Sequence, residues 1–185
     1  MKDIIILVHA FITSKLDNCN SLLSELPQYL LDKLQRVLNA AARLVSGTRK
    51  YDSITPVLMD LHWLPVKQRV SFKILLLTYK ALNSIAPKYI SDLLVQYRPV
   101  RALRSSGKML LQVPSYKLKS YGSRSFSYVA PHLWNSLPDI IKHSPSLAIF
   151  KSRLKTHLFN KAFNMITLIS YLYIYLCIYI FIYST

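Results

Sequence analysis

Glycine is scarce in this chain, and that scarcity restricts the available folds more than any other feature of the sequence. Only three glycines occur among 185 residues. Two-residue β-hairpin turns need backbone conformations with positive φ, which glycine adopts most readily. A hairpin-rich architecture is therefore disfavoured, and the length is sufficient for one domain with a core of its own. We predict a mainly α fold: a helical bundle with a basic region of loops and short strands and an apolar C-terminal tail.

Helical periodicity is clearest over two long segments. Between Tyr29 and Ser46 apolar residues recur at helical spacing, and Gly47 follows where a C-terminal cap is expected. A second helix is predicted from Pro65, a residue suited to a first helical turn, to about Ser84. It is apolar on most sides, which is typical of a central core helix. The core-facing stripe predicted for the first of these helices comprises Leu34, Val37, Leu38, Ala41, Leu44 and Val45.

Other helices are predicted from capping residues and proline positions. Their approximate ranges are Ile4 to Leu23, Ser53 to Leu61, Pro87 to Gln96 and Ser144 to Phe159. The residues of the last helix that we expect to face the core are Leu147, Phe150, Leu154 and Leu158.

The composition changes at Tyr97. No acidic residue lies between Asp92 and Asp139, and prolines and glycines favour loops there. Short strands are predicted for Met109 to Val113 and for Lys117 to Tyr121. We therefore divide the chain into a helical region over 1–96, a basic loop and strand region with a C-terminal helix over 97–164, and an apolar tail over 165–185.

The chain is strongly basic, with 24 Lys and Arg residues against 8 Asp and Glu residues and a formal charge of +16. Such an excess favours polyanionic partners, either nucleic acid or an anionic membrane surface. The two cysteines, Cys19 and Cys177, follow no disulfide or metal-ligand spacing. We expect an intracellular location, in the cytoplasm or nucleus, or at a membrane if the tail inserts.

Candidate phosphate contacts are the basic residues of the two long helices and of the region after Tyr97. On a helix, such residues are either a solvated face or an anion-binding face, and the sequence leaves both open. After Tyr97 aromatic residues alternate with the bases, either to stack on unpaired bases or to anchor the loop to the core. The candidates are Lys33, Arg36, Arg43, Arg69, Lys73, Lys80, Arg98, Arg101, Arg104, Lys108, Lys117, Lys119 and Arg124.

The tail from Met165 to Tyr183 contains no charged residue and is long enough to span a bilayer as a helix. Its tyrosines argue against that interpretation, because each hydroxyl would need a partner in the membrane. Its tyrosine and isoleucine content is also typical of AT-rich DNA translated in an accidental frame. An ordinary apolar tail or an aggregation-prone β segment is a further alternative.

No constellation in the sequence predicts an active site. Two-metal polymerase chemistry needs clustered carboxylates, but all eight acidic residues are isolated in sequence. No phosphate-binding glycine loop and no zinc spacing occurs, and the five histidines are dispersed. We therefore expect no catalytic residue, no metal and no cofactor.

Several strings in the chain are distinctive and follow one another in unbroken order. They are LDNCNSLL (16–23), the long segment from LDKLQRVLNAAARLVSGTRK to APKYISDLL (31–94), RALRSSGKMLLQVP (101–114), GSRSFSYVAPHLWNSLP (122–138) and SLAIFKSRLKTHLF (146–159). Together they closely resemble the region downstream of the palm in LINE-type non-LTR retrotransposon reverse-transcriptase polyproteins of the jockey-like and chicken-repeat-like groups.

The resemblance implies a helical thumb over 1–96 and an extension that grips template–primer or element RNA, with the parent palm as a partner. It implies no catalytic residue, because the palm and its aspartates are absent from these strings. The family pattern ends at Asn160, and we expect Met1 to be an internal methionine of a truncated copy. The alternative function is a small single-pass membrane protein with a basic cytosolic domain.

Overall fold

A computed structural model describes residues 2–97, 109–116 and 122–163, and this part of the chain is mainly α, as predicted. A π-helical turn (His9–Thr13) joins α1 to α2, and a 3₁₀ turn (Asn20–Leu23) precedes α3. In chain order the helices are α1 (Lys2–Val8), α2 (Ser14–Leu16), α3 (Gln28–Ser46), α4 (Thr55–Asp60), α5 (Val66–Leu82), α6 (Lys88–Ser91), α7 (Phe126–Asn135), α8 (Asp139–Lys142) and α9 (Leu147–Phe163).

Helix α5 is the centre of the bundle, as its apolar surface predicted. All three apolar clusters of the described residues include side chains from it: Val66 in the first, Leu75 in the second and Val70 in the third. The N-terminal end of α5 is tied to α3, because the Val66 amide donates to the side-chain carbonyl of Gln35 at 2.8 Å. A helix used by every cluster holds the surrounding elements in one arrangement.

The first predicted helix is shorter than its sequence indicated. The helical run that begins at Lys2 ends at Leu16, and the chain then turns through Cys19, which has a φ of 51° in the left-handed region. Asp17 and Asn18 stand in this turn. Asn and Asp side chains compete with the backbone for hydrogen bonds, so they favour turns over helix interiors.

Helix α3 ends as predicted, at Ser46. Gly47 follows it with a φ of 70°, and its amide donates to the Arg43 carbonyl at 2.8 Å. This left-handed cap favours glycine because a Cβ atom would be strained there. The predicted helix boundary and its cap are therefore confirmed.

The predicted core stripe of α3 was partly wrong. Leu38 is fully buried, but Val37 is 47% exposed and Leu44 is 62% exposed. The helix presents to its neighbours a face that instead includes Leu31 and Ala42. Apolar residues on two sides of a helix leave its orientation undetermined, and contacts with α1, α4 and α5 select one side.

Helix α9 packs antiparallel to α5. Near the start of α9, Phe150 stacks on Tyr79 from the last turns of α5, with ring centroids 4.1 Å apart. At the other end, Phe163 of α9 shares the first cluster with Val66 of α5. The Tyr79 hydroxyl also donates to the Ser144 carbonyl at 2.8 Å, which fixes the segment that enters α9. The core face predicted for this helix is confirmed.

The short strand predicted for Met109 to Val113 is reduced to one antiparallel bridge, between Gln96 and Leu111. The backbone of Leu111 is bound instead by a side chain of α7. Its amide donates to the Asn135 Oδ1 at 2.9 Å, and its carbonyl accepts from the Asn135 Nδ2 at 2.8 Å. The predicted strand at Lys117 to Tyr121 lies outside the described residues.

Helix α7 was not predicted, because Pro131 lies in its interior and glycine and serine precede it. Tertiary contacts outweigh the cost of that proline. Trp134 of α7 is fully buried in the second cluster, and its Nε1 donates to the Met109 carbonyl at 2.8 Å. The second cluster also contains residues of α5 and α9. The predicted boundary between the helical region and the basic region, at residues 96 and 97, stays a prediction.

Candidate nucleic-acid interface

Positive charge is largely uncompensated over the part of the chain that the structure describes. Its three ion pairs use only two carboxylates, those of Asp17 and Asp139. Asp139 lies 3.2 Å from Lys142, whose side chain is 2% exposed. The remaining exposed bases give the protein surface a positive potential.

Helix α3 contributes two of these exposed bases. Lys33 and Arg36 both lie on its solvent side. Arg43, the third candidate on this helix, instead forms hydrogen bonds with the loop that follows the helix. Its Nε donates to the Arg49 carbonyl at 3.3 Å and its Nη2 to the Asp52 carbonyl at 3.1 Å. Of the three candidates on α3, Lys33 and Arg36 are therefore the ones exposed to solvent without a partner in the following loop.

The basic stripe predicted on α5 has an acidic partner within the protein. Arg69 donates from Nε to the Asp17 Oδ1 at 2.9 Å and from Nη2 to Oδ2 at 2.8 Å. Lys73 lies 3.6 Å from the same Oδ2. The sequence did not indicate this pairing, because 52 residues separate Asp17 from Arg69. The bidentate geometry fixes the guanidinium in one orientation.

The pKa of Asp17 lies below its ordinary value. Partial burial of the carboxyl would by itself raise the pKa. The hydrogen bonds and positive charge of Arg69 outweigh that effect, and Lys73 and the Asn20 amide act in the same direction. The Asn20 amide forms no hydrogen bond within normal distance, so we attribute the lower pKa mainly to Arg69.

Replacing Asp17 by Asn is expected to lower the free energy of unfolding by about 1–3 kcal/mol at neutral pH, because Arg69 loses a charged, partly buried partner. Since the pKa of Asp17 is lowered on folding, this stabilisation is fully present above the unfolded pKa of about 3.9 and is lost as the pH falls through the folded pKa. Urea denaturation of both proteins over that pH range measures it. Asp32→Asn, at an exposed carboxylate, is the control, and a pH-independent difference for Asp17→Asn contradicts the prediction.

The remaining candidate residues are either half-buried or outside the described residues. Lys80 and Arg124 are half-buried. The candidates outside the described residues are Arg98, Arg101, Arg104, Lys108, Lys117 and Lys119, and the segment from Met165 to Tyr183 lies outside them as well. Among the helices of residues 2–97 and 122–163, none is long and apolar enough to cross a membrane.

A cavity of about 470 Å³ lies where α5, α9, the π-helical turn and the connection between α4 and α5 meet. We call it the basic cavity. Arg69 and Lys73 reach it from α5 and Lys155 from α9, and Asp17 is its single carboxylate. Sequence reasoning did not select Lys155, because only the antiparallel packing of α5 and α9 brings it to the same space as Lys73.

Aromatic rings form part of the wall of the basic cavity. His9 lies against Trp63 with ring centroids 5.7 Å apart, and His62 stacks on Phe159 at 5.9 Å. His62 is exposed, and its backbone φ of 53° is in the left-handed region. Its Nδ1 lies 3.1 Å from the Asp60 carbonyl, which can only accept, so Nδ1 is the donor in this contact.

The aromatic residues of the basic region divide between anchoring and exposure. Phe126 and Tyr128 pack against the third cluster, and Tyr116 contacts Tyr128 edge to face with centroids 4.7 Å apart. Tyr97 is 46% exposed and Tyr116 is 39% exposed. Phe126 and Tyr128 therefore anchor the segment, whereas Tyr97 and Tyr116 keep accessible ring surface.

Three comparisons with known proteins found nothing: no protein-family model, no curated protein and no solved structure matches this chain. In the described ranges no three His, Cys, Asp or Glu side chains converge in a group that could hold a metal ion.

Proposed function

We propose that this chain is a non-catalytic C-terminal piece of a LINE-type reverse-transcriptase polyprotein and that it binds RNA or DNA without sequence preference. The parent palm, where the full element has one, is its protein partner. One observation carries the proposal: basic side chains lie exposed on several helices without acidic partners among the described residues. The proposed family rests on the resemblance of the distinctive strings in the sequence.

The distribution of these bases favours non-specific binding. Lys33 and Arg36 lie on α3 and Lys151 and Lys155 on α9, and all four are exposed. Lys73 of α5 is exposed as well, but it pairs with Asp17. Cations spread over several helices can meet phosphates of a flexible strand. Phosphate contacts position a strand but carry no sequence information of their own. The protein is therefore expected to bind a nucleic-acid strand without preferring particular bases.

A titration of labelled single-stranded RNA with the full chain at increasing salt tests this proposal. Each phosphate neutralised contributes about −0.7 to the slope of log affinity against log salt for a single strand. With about three contacts, affinity is expected to fall roughly ten- to twentyfold between about 50 mM and 200 mM salt. Filter binding measures the change.

Two variants test whether exposed positive charge causes the salt dependence. Lys33→Gln, at an exposed cation, is expected to make the salt slope shallower by roughly one phosphate contact. Ser53→Ala, at an exposed uncharged residue, is the matched control and is expected to leave the slope unchanged. A flat salt dependence, or no binding at low salt, would refute the proposed function.

A further inference from the structure

We propose that the basic cavity binds one phosphorylated nucleotide, with the phosphate on Lys73 and Lys155 and the base against the aromatic wall. The inference deepens the proposed function, because it takes a single strand of nucleic acid as the source of that nucleotide. The cavity volume of about 470 Å³ falls within the usual range for small-ligand sites.

Charge is the first observation in favour of a phosphate. Among the described residues that line the cavity, Arg69, Lys73 and Lys155 are three cations around one carboxylate, Asp17, an excess of two positive charges. Like charges converging on one space repel one another, and an anion between them relieves that repulsion. A phosphate supplies both the charge and several acceptor oxygens.

The arrangement of donors is the second observation. Arg69 donates one hydrogen bond to each oxygen of Asp17, so the guanidinium is the main partner of this carboxylate. Lys73 stands 3.6 Å away, too far for a good hydrogen bond. Among the described residues Lys155 has neither an acidic partner nor a hydrogen bond from its ammonium group. Lys73 keeps its ion pair with Asp17 but donates no hydrogen bond of normal length, and both side chains are exposed, so each ammonium group can reach an external acceptor.

The rings are the third observation, and they distinguish a nucleotide from a bare phosphate. A site for inorganic phosphate has no need of an aromatic wall, whereas bases stack on rings with little dependence on sequence. The exposed ring of His62 stacks on Phe159, and the ring of His9 lies against that of Trp63. Half-buried Phe72 adds apolar surface to the cavity lining.

The test uses the full chain with three probes: inorganic phosphate, adenosine 5′-monophosphate and a labelled single-stranded oligonucleotide. The nucleotide is expected to bind saturably and to change the fluorescence of Trp63, which lines the cavity, while fully buried Trp134 supplies a constant background. Trp63→Phe assigns the signal. Inorganic phosphate is expected to bind more weakly, because it gains no stacking.

Two double variants remove the same charge from different places. Lys73→Gln with Lys155→Gln removes both ammonium groups that line the cavity among the described residues, and we expect it to weaken nucleotide binding at least about tenfold. Lys33→Gln with Lys151→Gln removes two exposed lysines outside the cavity, and we expect nucleotide binding to stay unchanged. For the oligonucleotide, the cavity variant is expected to lose more affinity than the control. All four lysines are exposed, so thermal melting is expected to be similar for both variants.

The outcomes separate this inference from the proposed function. Equal loss of oligonucleotide affinity in both variants, with no nucleotide binding, overturns the cavity site and leaves the proposed function standing. Phosphate binding as tight as nucleotide binding overturns the role of the rings. Cavity-dependent nucleotide binding without any oligonucleotide binding supports the site, makes a free nucleotide its source and removes the proposed function.

Discussion

Phe150→Ala is expected to lower the free energy of unfolding by about 3–5 kcal/mol. Phe150 is fully buried, and its ring lies 4.1 Å from that of Tyr79 and 6.1 Å from that of Trp134. It therefore joins α9 to both α5 and α7. Removing the ring leaves a cavity where three helices meet, and the loss of packing adds to the lost burial of apolar surface. Urea denaturation followed by circular dichroism measures the effect.

The neighbouring residue supplies the control for this substitution. Ile149 is 40% exposed, and we expect Ile149→Ala to change stability by no more than about 0.5 kcal/mol. Because about 5 kcal/mol approaches the whole stability of many domains, the milder Phe150→Leu keeps the comparison measurable if Phe150→Ala does not fold. Equal effects at positions 149 and 150 would contradict the orientation of α9.

Leu38→Ala is expected to lower the free energy of unfolding by about 2–5 kcal/mol. Leu38 is fully buried in the first cluster, where α3 meets α1 and the end of α9. A shorter side chain leaves space that fully packed neighbours fill only in part. Thermal or urea denaturation measures the loss, and m-values equal to those of the wild type establish that stability alone has changed.

Val37→Ala is the matched control on the same helix. The sequence predicted that Val37 and Leu38 share the core face, but Val37 is 47% exposed. We expect Val37→Ala to change stability by about 0.5 kcal/mol or less. A loss at Val37 as large as that at Leu38 would mean that α3 is rotated relative to the orientation described above.

The long helices could be predicted because their signals are local. Gly47 caps α3 and Pro65 precedes α5, and both boundaries follow from backbone chemistry that needs no tertiary contact. Helix α7 could not be predicted in this way. Pro131 opposes it locally, and the contacts of Trp134 and Asn135 that favour it come from residues about 25 positions earlier in the chain.

The residues of the basic cavity were likewise predicted only in part. Lys73 was predicted from its place on a basic stripe of α5, and it does line the basic cavity. Lys155 and Asp17 were not, although both lie in the same cavity. No pattern within one helix predicts that α9 packs against α5. Nor does one predict that Asp17, in the turn after α2, pairs with the guanidinium of Arg69, 52 residues later.

The amino-acid sequence by itself determined the helical class, the C-terminal end of α3, the start of α5 and the excess of positive charge, because backbone propensity, capping and net charge are properties of short segments or of composition. Only the tertiary structure decided which face of α3 is buried, which cations are paired and which meet in the basic cavity. The physical reason is that burial and electrostatic pairing depend on distances between segments, and packing of the helices against one another sets those distances.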